Sequence, residues 1–173
     1  LVNARSLANP GQHQQRIQSL SDTEGRSFGP TRFVEELPQP LNGCEGSMVR
    51  AEGGDGSLLL FFSGPDSKLL RTGMAIWTSR TGGDSWAKAT TVDSGTSGYS
   101  SLQVMGTGLG LLDEQSDVAE VVMTPDRFVF RRFDGLLSKT DDDVGPRPAP
   151  SVTVHDIRVS ALSENVVRVE RRG

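Results

Sequence analysis

Short apolar runs cut apart by glycine and aspartate set the limits on what this chain can fold into. Leu58-Leu59-Leu60-Phe61-Phe62, Gly73-Met74-Ala75-Ile76-Trp77-Thr78, Leu109-Gly110-Leu111-Leu112, Ala119-Glu120-Val121-Val122-Met123 and Arg127-Phe128-Val129-Phe130-Arg131 are each too short for a core helix. Between them lie turn-forming groups: Gly53-Gly54-Asp55-Gly56, Gly64-Pro65-Asp66, Gly82-Gly83-Asp84 and Thr124-Pro125-Asp126. Short strands at regular spacing with such turns predict an antiparallel all-β protein. The best helical candidate, Arg32-Phe33-Val34-Glu35-Glu36-Leu37, runs at once into Pro38 and Pro40. With 20 Gly and 9 Pro among 173 residues, chain breakers are too frequent for a helical bundle.

The chain also repeats itself. Ser21-Asp22-Thr23-Glu24-Gly25-Arg26-Ser27-Phe28 aligns with Ser79-Arg80-Thr81-Gly82-Gly83-Asp84-Ser85-Trp86, with Gly25 and Gly83 58 positions apart. The shared pattern, S-x-T-x-G-x-S-aromatic, is a hairpin turn. Glycine takes a positive φ, the hydroxyls bond the local backbone, and the aromatic residue anchors the turn in the core. A hairpin recurring once per several strands points to a β-propeller with four-stranded blades.

Charge narrows the function. The net charge is −4, and no basic cluster stands out, so the chain is not expected to bind nucleic acid. The cations are 15 Arg and only 3 Lys, and Arg is the side chain that grips carboxylates through two parallel bonds. A single cysteine, Cys44, excludes an internal disulfide framework. Two histidines and one cysteine, far apart in sequence, give no metal-site spacing. No apolar run approaches the ~18 residues of a membrane-spanning helix. The chain opens Leu1-Val2-Asn3-Ala4-Arg5 without an initiator Met and reads as starting inside a strand, so a fragment or processed product is expected.

Residues 1–137 form the expected propeller part. Ser138 to Pro150, with three consecutive Asp and then three Pro in five residues, reads as a semi-rigid linker. Residues 151–173 alternate again and are expected to begin a second β domain, with a turn near Ser163-Glu164-Asn165. This tail resembles the opening strands of the β-sandwich that precedes the barrel in family 31 α-glucosidases; an accessory carbohydrate-binding sandwich fits the same pattern.

The two octapeptides resemble the Asp-box repeats, S-x-D-x-G-x-T-W, of sialidases, with Thr23 and Thr81 at the Asp position. Three further segments carry the likeness. Asn3-Ala4-Arg5-Ser6 is similar to the N-A-R-S segment of animal sialidases, Gly43-Cys44-Glu45-Gly46-Ser47 to their G-C-x-G-S segment, and Ser97-Gly98-Tyr99-Ser100-Ser101-Leu102 to the segment that carries the nucleophilic Tyr. Their order resembles the C-terminal half of an exo-α-sialidase over about residues 1–135. The fold implied is the C-terminal blades of a six-bladed propeller.

The resemblance assigns roles that chemistry makes sensible. Sialic acids carry a carboxylate on the anomeric carbon, and sialidases grip it with three Arg; Arg5 corresponds to the second and Arg71 to the third. Tyr99 corresponds to the nucleophile. Most glycosidases use a carboxylate there, and sialidases with Tyr are an exception; a neutral phenol avoids repulsion from the substrate's carboxylate. Glu114 corresponds to the Glu that buttresses the first Arg, and Asp113 stands where the family usually has Tyr. Glu45 is expected to be a loop charge, Cys44 a buried small residue, and Arg16 and Arg80 structural or solvent-facing.

The family's first Arg, its acid/base Asp and the Glu that activates the Tyr would all precede Leu1. At ~60 residues per blade, extrapolated from other propellers, the chain supplies about half of six blades, so alone it is expected to be inactive. The missing part would come from the full-length protein or a separate chain. The implied activity is retaining hydrolysis of terminal sialic acid from glycoproteins, glycolipids or oligosaccharides, with no cofactor and no metal. The alternatives are a non-catalytic sialic-acid-binding propeller and a trans-sialidase.

Overall fold

The computed structural model describes residues 1–6, 14–118 and 124–137, and the backbone of residues 152–154, 157–163 and 166–171. The expected strand at 119–123 and the linker at 138–150 lie outside the described residues. The protein is all-β, and no helix occurs among the described residues.

A first antiparallel sheet contains β1 (Val2–Ala4), β2 (Gln15–Ser19) and β3 (Arg32–Pro38), in chain order. The segment before Pro38 is thus a strand, because Val34 and Leu37 are both buried and its N–H and C=O groups pair with β2. Next come β4 (Ser47–Glu52), β5 (Leu58–Pro65), β6 (Thr72–Ser79), β7 (Ala87–Met105), β8 (Gly108–Ser116), β9 (Arg127–Asp134) and β10 (Val152–Val154), each paired antiparallel with the next. The last two strands, β11 (Ile157–Ser163) and β12 (Val166–Arg171), form a separate hairpin.

The 19-residue β7 organises the sheet. Ala87 to Asp93 and then Thr96 pair with β6, and from Thr96 onward the strand pairs with β8. The strand therefore finishes one four-stranded unit (β4, β5, β6 and the start of β7) and begins another (the rest of β7, then β8, β9 and β10). The units are named the middle and last blades, and β1–β3 the first blade.

Alternation along β5 and β6 builds two cores from one sheet, since successive side chains point to opposite faces. Leu60, Phe62, Ala75 and Trp77 face the first blade and pack with Val34, Leu37 and Trp86. Leu59, Phe61, Met74 and Ile76 face the last blade and pack with Leu102, Leu109, Leu111 and Phe133. The middle blade is thus apolar on both sides, as its continuous runs Leu58–Phe62 and Gly73–Trp77 require.

The two octapeptide turns join β2 to β3 and β6 to β7. In the first, Ser21 Oγ accepts the Gly25 N–H at 2.8 Å and Thr23 Oγ1 accepts the Ser27 N–H at 2.9 Å. In the second, Ser79 Oγ accepts the Gly83 N–H at 2.9 Å and Thr81 Oγ1 accepts the Ser85 N–H at 2.9 Å. Positive φ falls at Glu24 and Gly25 in one and at Gly82 and Gly83 in the other. Their aromatic residues differ: Trp86 is buried, whereas Phe28 is 49% exposed. Phe28 therefore does not anchor its turn in the core as expected, because no described sheet lies against it.

Candidate functional site

The site forms where three separate stretches reach β7 just past its crossing point. Opposite Glu114 of β8 stand two residues of β7, Gly98 and Tyr99, because Ser97 pairs with Gln115 while Ser100 pairs with Asp113. This is a β-bulge, which turns a side chain out of the regular alternation. The Tyr99 N–H is bonded by the Glu114 carboxylate, with Oε2 accepting at 3.0 Å. Tyr99 is 37% exposed, held in a strand rather than in the Gly/Ser-rich loop its flanking residues suggest.

Arg5 follows β1 directly, and its Nη1 lies 3.5 Å from the Tyr99 hydroxyl, the long end of hydrogen bonding. Arg71 precedes β6, is 5% exposed, and places its guanidinium carbon 5.0 Å from the centre of the Tyr99 ring. Its Nη2 donates to the Gly43 carbonyl at 3.1 Å, while its buried Nε has no partner among the described residues. The Arg71 carbonyl in turn accepts the Ser97 N–H at 2.9 Å, tying the Arg to the bulge.

The segment 39–46 links these groups. Gly43 has φ +68°, and a Cβ there would sit 2.8 Å from the Ser6 carbonyl and 3.3 Å from Cδ of Arg5, so only glycine lets the two segments meet. Cys44 is buried and donates its thiol to the Gly98 carbonyl at 3.3 Å. Burial pushes that thiol up to about 11, which makes it an inert packing group. Glu45 is not a free loop charge: its Oε2 accepts the Ser100 N–H at 3.3 Å. Desolvation raises its carboxyl above the ordinary range, partly opposed by that hydrogen bond and by Arg16.

Arg16 lies beneath, buried, donating to the Cys44 carbonyl at 2.8 Å and to the Asn3 side chain, over the Phe62 ring. Burial lowers it to about 10, so it remains a cation at neutral pH. Arg80 stands away from the site, within 3.9 Å of Asp55.

Two open clefts flank Tyr99. One, of about 420 Å³, includes Asn3, Arg5, Arg16 and Gly46 in its lining; the other, of about 220 Å³, includes Leu112, Glu114 and Phe128. Glu45 and Tyr99 line both. The four residues singled out in the sequence, Arg5, Arg71, Tyr99 and Glu114, therefore converge, although they lie on separate parts of the chain. Glu114 touches the Tyr99 backbone. Glu45, expected as a loop charge, joins them through Ser100; its position inside the G-C-x-G-S segment is the sequence signal for that. Two guanidiniums, one exposed at Arg5 and one buried at Arg71, thus lie beside a partly exposed phenol.

Sequence comparison bears on this geometry. The chain is 27% identical to Sialidase-2 of Rattus norvegicus over 134 residues, and 28% identical to Sialidase-2 of Mus musculus over 134 residues. Each match covers 70% of this chain. The chain is similar to the sialidases over this stretch. It spans about a third of the length of these curated relatives, 34% of each. No family model matches it.

Solved structures agree on the sialidase-type fold. The intramolecular trans-sialidase from Ruminococcus gnavus, in complex with oseltamivir carboxylate, superposes with a TM-score of 0.60 at 20% identity, covering 80% of this chain and 31% of that one. The leech intramolecular trans-sialidase complexed with 2,7-anhydro-Neu5Ac gives 0.58 at 18% identity, covering 79% and 22%. The three units β1–β3, β4–β7 and β7–β10 are accordingly blades of a sialidase-type propeller. Among the described residues no helix is long and apolar enough to cross a membrane.

Proposed function

We propose that this chain supplies the nucleophile and two of the substrate-gripping arginines of an exo-α-sialidase. The observation that carries the reading is the convergence of Arg5 and Arg71 on Tyr99, one at the hydroxyl and one at the ring face. Arg5 and Arg71 hold the carboxylate of a terminal sialic acid. The Tyr99 oxygen attacks the anomeric carbon, losing its proton to a base supplied by the rest of the full-length protein. The bond to the aglycone breaks as an acid protonates the leaving oxygen. Water then cleaves the tyrosyl–sugar bond, so configuration is retained. Glu114 keeps the nucleophile in place through the Tyr99 backbone. The substrates are sialylated glycoproteins, glycolipids or oligosaccharides, and the reaction calls for no cofactor.

The test is hydrolysis of a fluorogenic sialoside by the full-length protein, by the chain 1–173 alone and by the Tyr99→Phe variant. The full-length protein should turn over, the chain alone should not, and Tyr99→Phe should abolish turnover. Arg5→Lys and Arg71→Lys should each lower kcat/KM about 10- to 100-fold, the loss of one charged hydrogen-bonded grip. A wild-type protein that binds sialic acid without cleaving it would replace this reading with that of a binding propeller. Transfer of the sugar to an acceptor instead of water would make it a trans-sialidase.

A further inference from the structure

Near Tyr99, and reaching the lining of the smaller cleft through Asp113, lies a charged cluster that the proposed chemistry does not use. Asp113 is fully buried, directly opposite Ser100 in the ladder. Its Oδ1 accepts from Arg131 Nη1 at 2.6 Å, and its Oδ2 accepts from Gln115 Nε2 at 3.1 Å. The other amino group of Arg131, Nη2, donates to Asp93 Oδ2 at 2.9 Å, and Gln115 Nε2 reaches the same oxygen at 3.2 Å. Asp93 Oδ1 accepts the Gly95 N–H at 2.7 Å. One guanidinium therefore ties together β7 just before Thr96, where its pairing passes from β6 to β8, β8 beside the bulge, and β9.

Such a cluster is a poor way to gain stability. Replacing a buried ion pair with apolar side chains of similar volume is often neutral or favourable, and Leu109, Leu111 and Phe133 show that these strands can pack that way. Burial even pushes Asp113 up to about 6, against the pull of Arg131. What the cluster does supply is geometry. Asp93 and Asp113 bracket the bulge, one ahead of it in the chain and one across the ladder. The residue after Asp113, Glu114, holds the Tyr99 N–H.

We propose that Arg131 is a positioning residue for Tyr99: by bridging Asp93 and Asp113 it fixes the crossing of β7 from blade to blade, and with it the bulge that presents the phenol. The kinetic part of this inference rests on the sialidase reading, and the structural part does not.

The experiment uses the full-length protein with three variants. Arg131→Lys keeps the charge but loses the planar fork. Asp93→Asn removes one partner at a half-exposed position. The pair Arg131→Met with Asp113→Asn removes both buried charges together, so that neither is left orphaned. Amide hydrogen exchange is read at Tyr99 and Ser100, with β5 as internal reference, alongside kcat and KM on the fluorogenic sialoside. In the double variant, exchange at Tyr99 and Ser100 should speed up about tenfold while β5 is unchanged, and kcat should fall about tenfold with KM within about threefold. Arg131→Lys and Asp93→Asn should lie between wild type and the double variant. Unchanged exchange and kcat in a folded double variant would overturn the proposal. So would faster exchange spread evenly over β5 and β8, the mark of a purely stabilising pair. If the wild-type protein does not cleave the sialoside, the sialidase reading fails and the exchange data alone decide the role of Arg131.

Discussion

The turn at 21–28 and the turn at 79–86 share a hydrogen-bond pattern, yet one is embedded and the other bare. Around the second, Gln18 accepts from the Trp86 indole at 2.8 Å and donates to the Gly83 carbonyl at 3.0 Å. Arg32 donates to the carbonyls of Gly83 and Asp84, and the Leu1 side chain lies against Gly83. All three partners come from the first blade. Around the first turn nothing comparable stands among the described residues: a Cβ on Gly25 would meet no atom within 4 Å, and the Ser19 hydroxyl donates across its own hairpin, to the Gly29 carbonyl. The octapeptide therefore specifies its internal hydrogen bonds locally, while its contribution to stability is set by the blade it leans on.

The comparison can be tested by paired substitutions read as unfolding free energies in urea. Trp86→Ala should cost about 3–5 kcal/mol, the range for losing a buried large aromatic, whereas Phe28→Ala should cost under about 1 kcal/mol. Equal losses would mean that Phe28 is as well anchored as Trp86. Ser79→Ala strands buried N–H groups and should cost about 1–3 kcal/mol; water can replace the hydroxyl of exposed Ser21, so Ser21→Ala should cost about 0.5 kcal/mol. Alanine at Gly25 or Gly83 must adopt a positive φ in either place, a penalty of about 1–2 kcal/mol. Gly83→Ala also pushes on Leu1, a flexible side-chain end, and should exceed Gly25→Ala by no more than about 1 kcal/mol. The smallest effect is a gain: Glu24 has φ 58° where the second turn has Gly82, so Glu24→Gly should stabilise by up to about 1 kcal/mol. A loss there would show that Glu24 contributes more than its backbone strain costs.

How much of this was legible in the sequence follows from where side chains point. Strands β5, β6, β8 and β9 announce themselves because their apolar residues are buried. The hairpin β11–β12 pairs Ile157–Ser163 with Val166–Arg171. Strand β7 does not show: Thr90, Thr91, Ser97, Gly98 and Ser100 carry no apolar alternation, since this strand crosses between blades and lines the clefts. For that reason Tyr99 reads as a loop residue. Arg5, Arg71, Tyr99 and Glu114 came from likeness to a family, not from periodicity, and their convergence needed the fold. Glu45 reads as a loop charge because nothing local says that its segment folds back onto Ser100. The cluster of Asp93, Asp113, Gln115 and Arg131 was invisible for the same reason: its members sit on three strands, and only register brings them together.

Strand β7 has one more consequence. In most repeat architectures neighbouring units communicate through side-chain interfaces, and each can fray with only a modest penalty to the next. Here the last strand of one unit and the first of the next are one uninterrupted backbone, with no connecting loop to absorb motion. Loosening either end of β7 disturbs the ladder of the other blade. The middle and last blades should therefore melt as a single cooperative unit, and the residue that would do the chemistry sits near the splice that joins them.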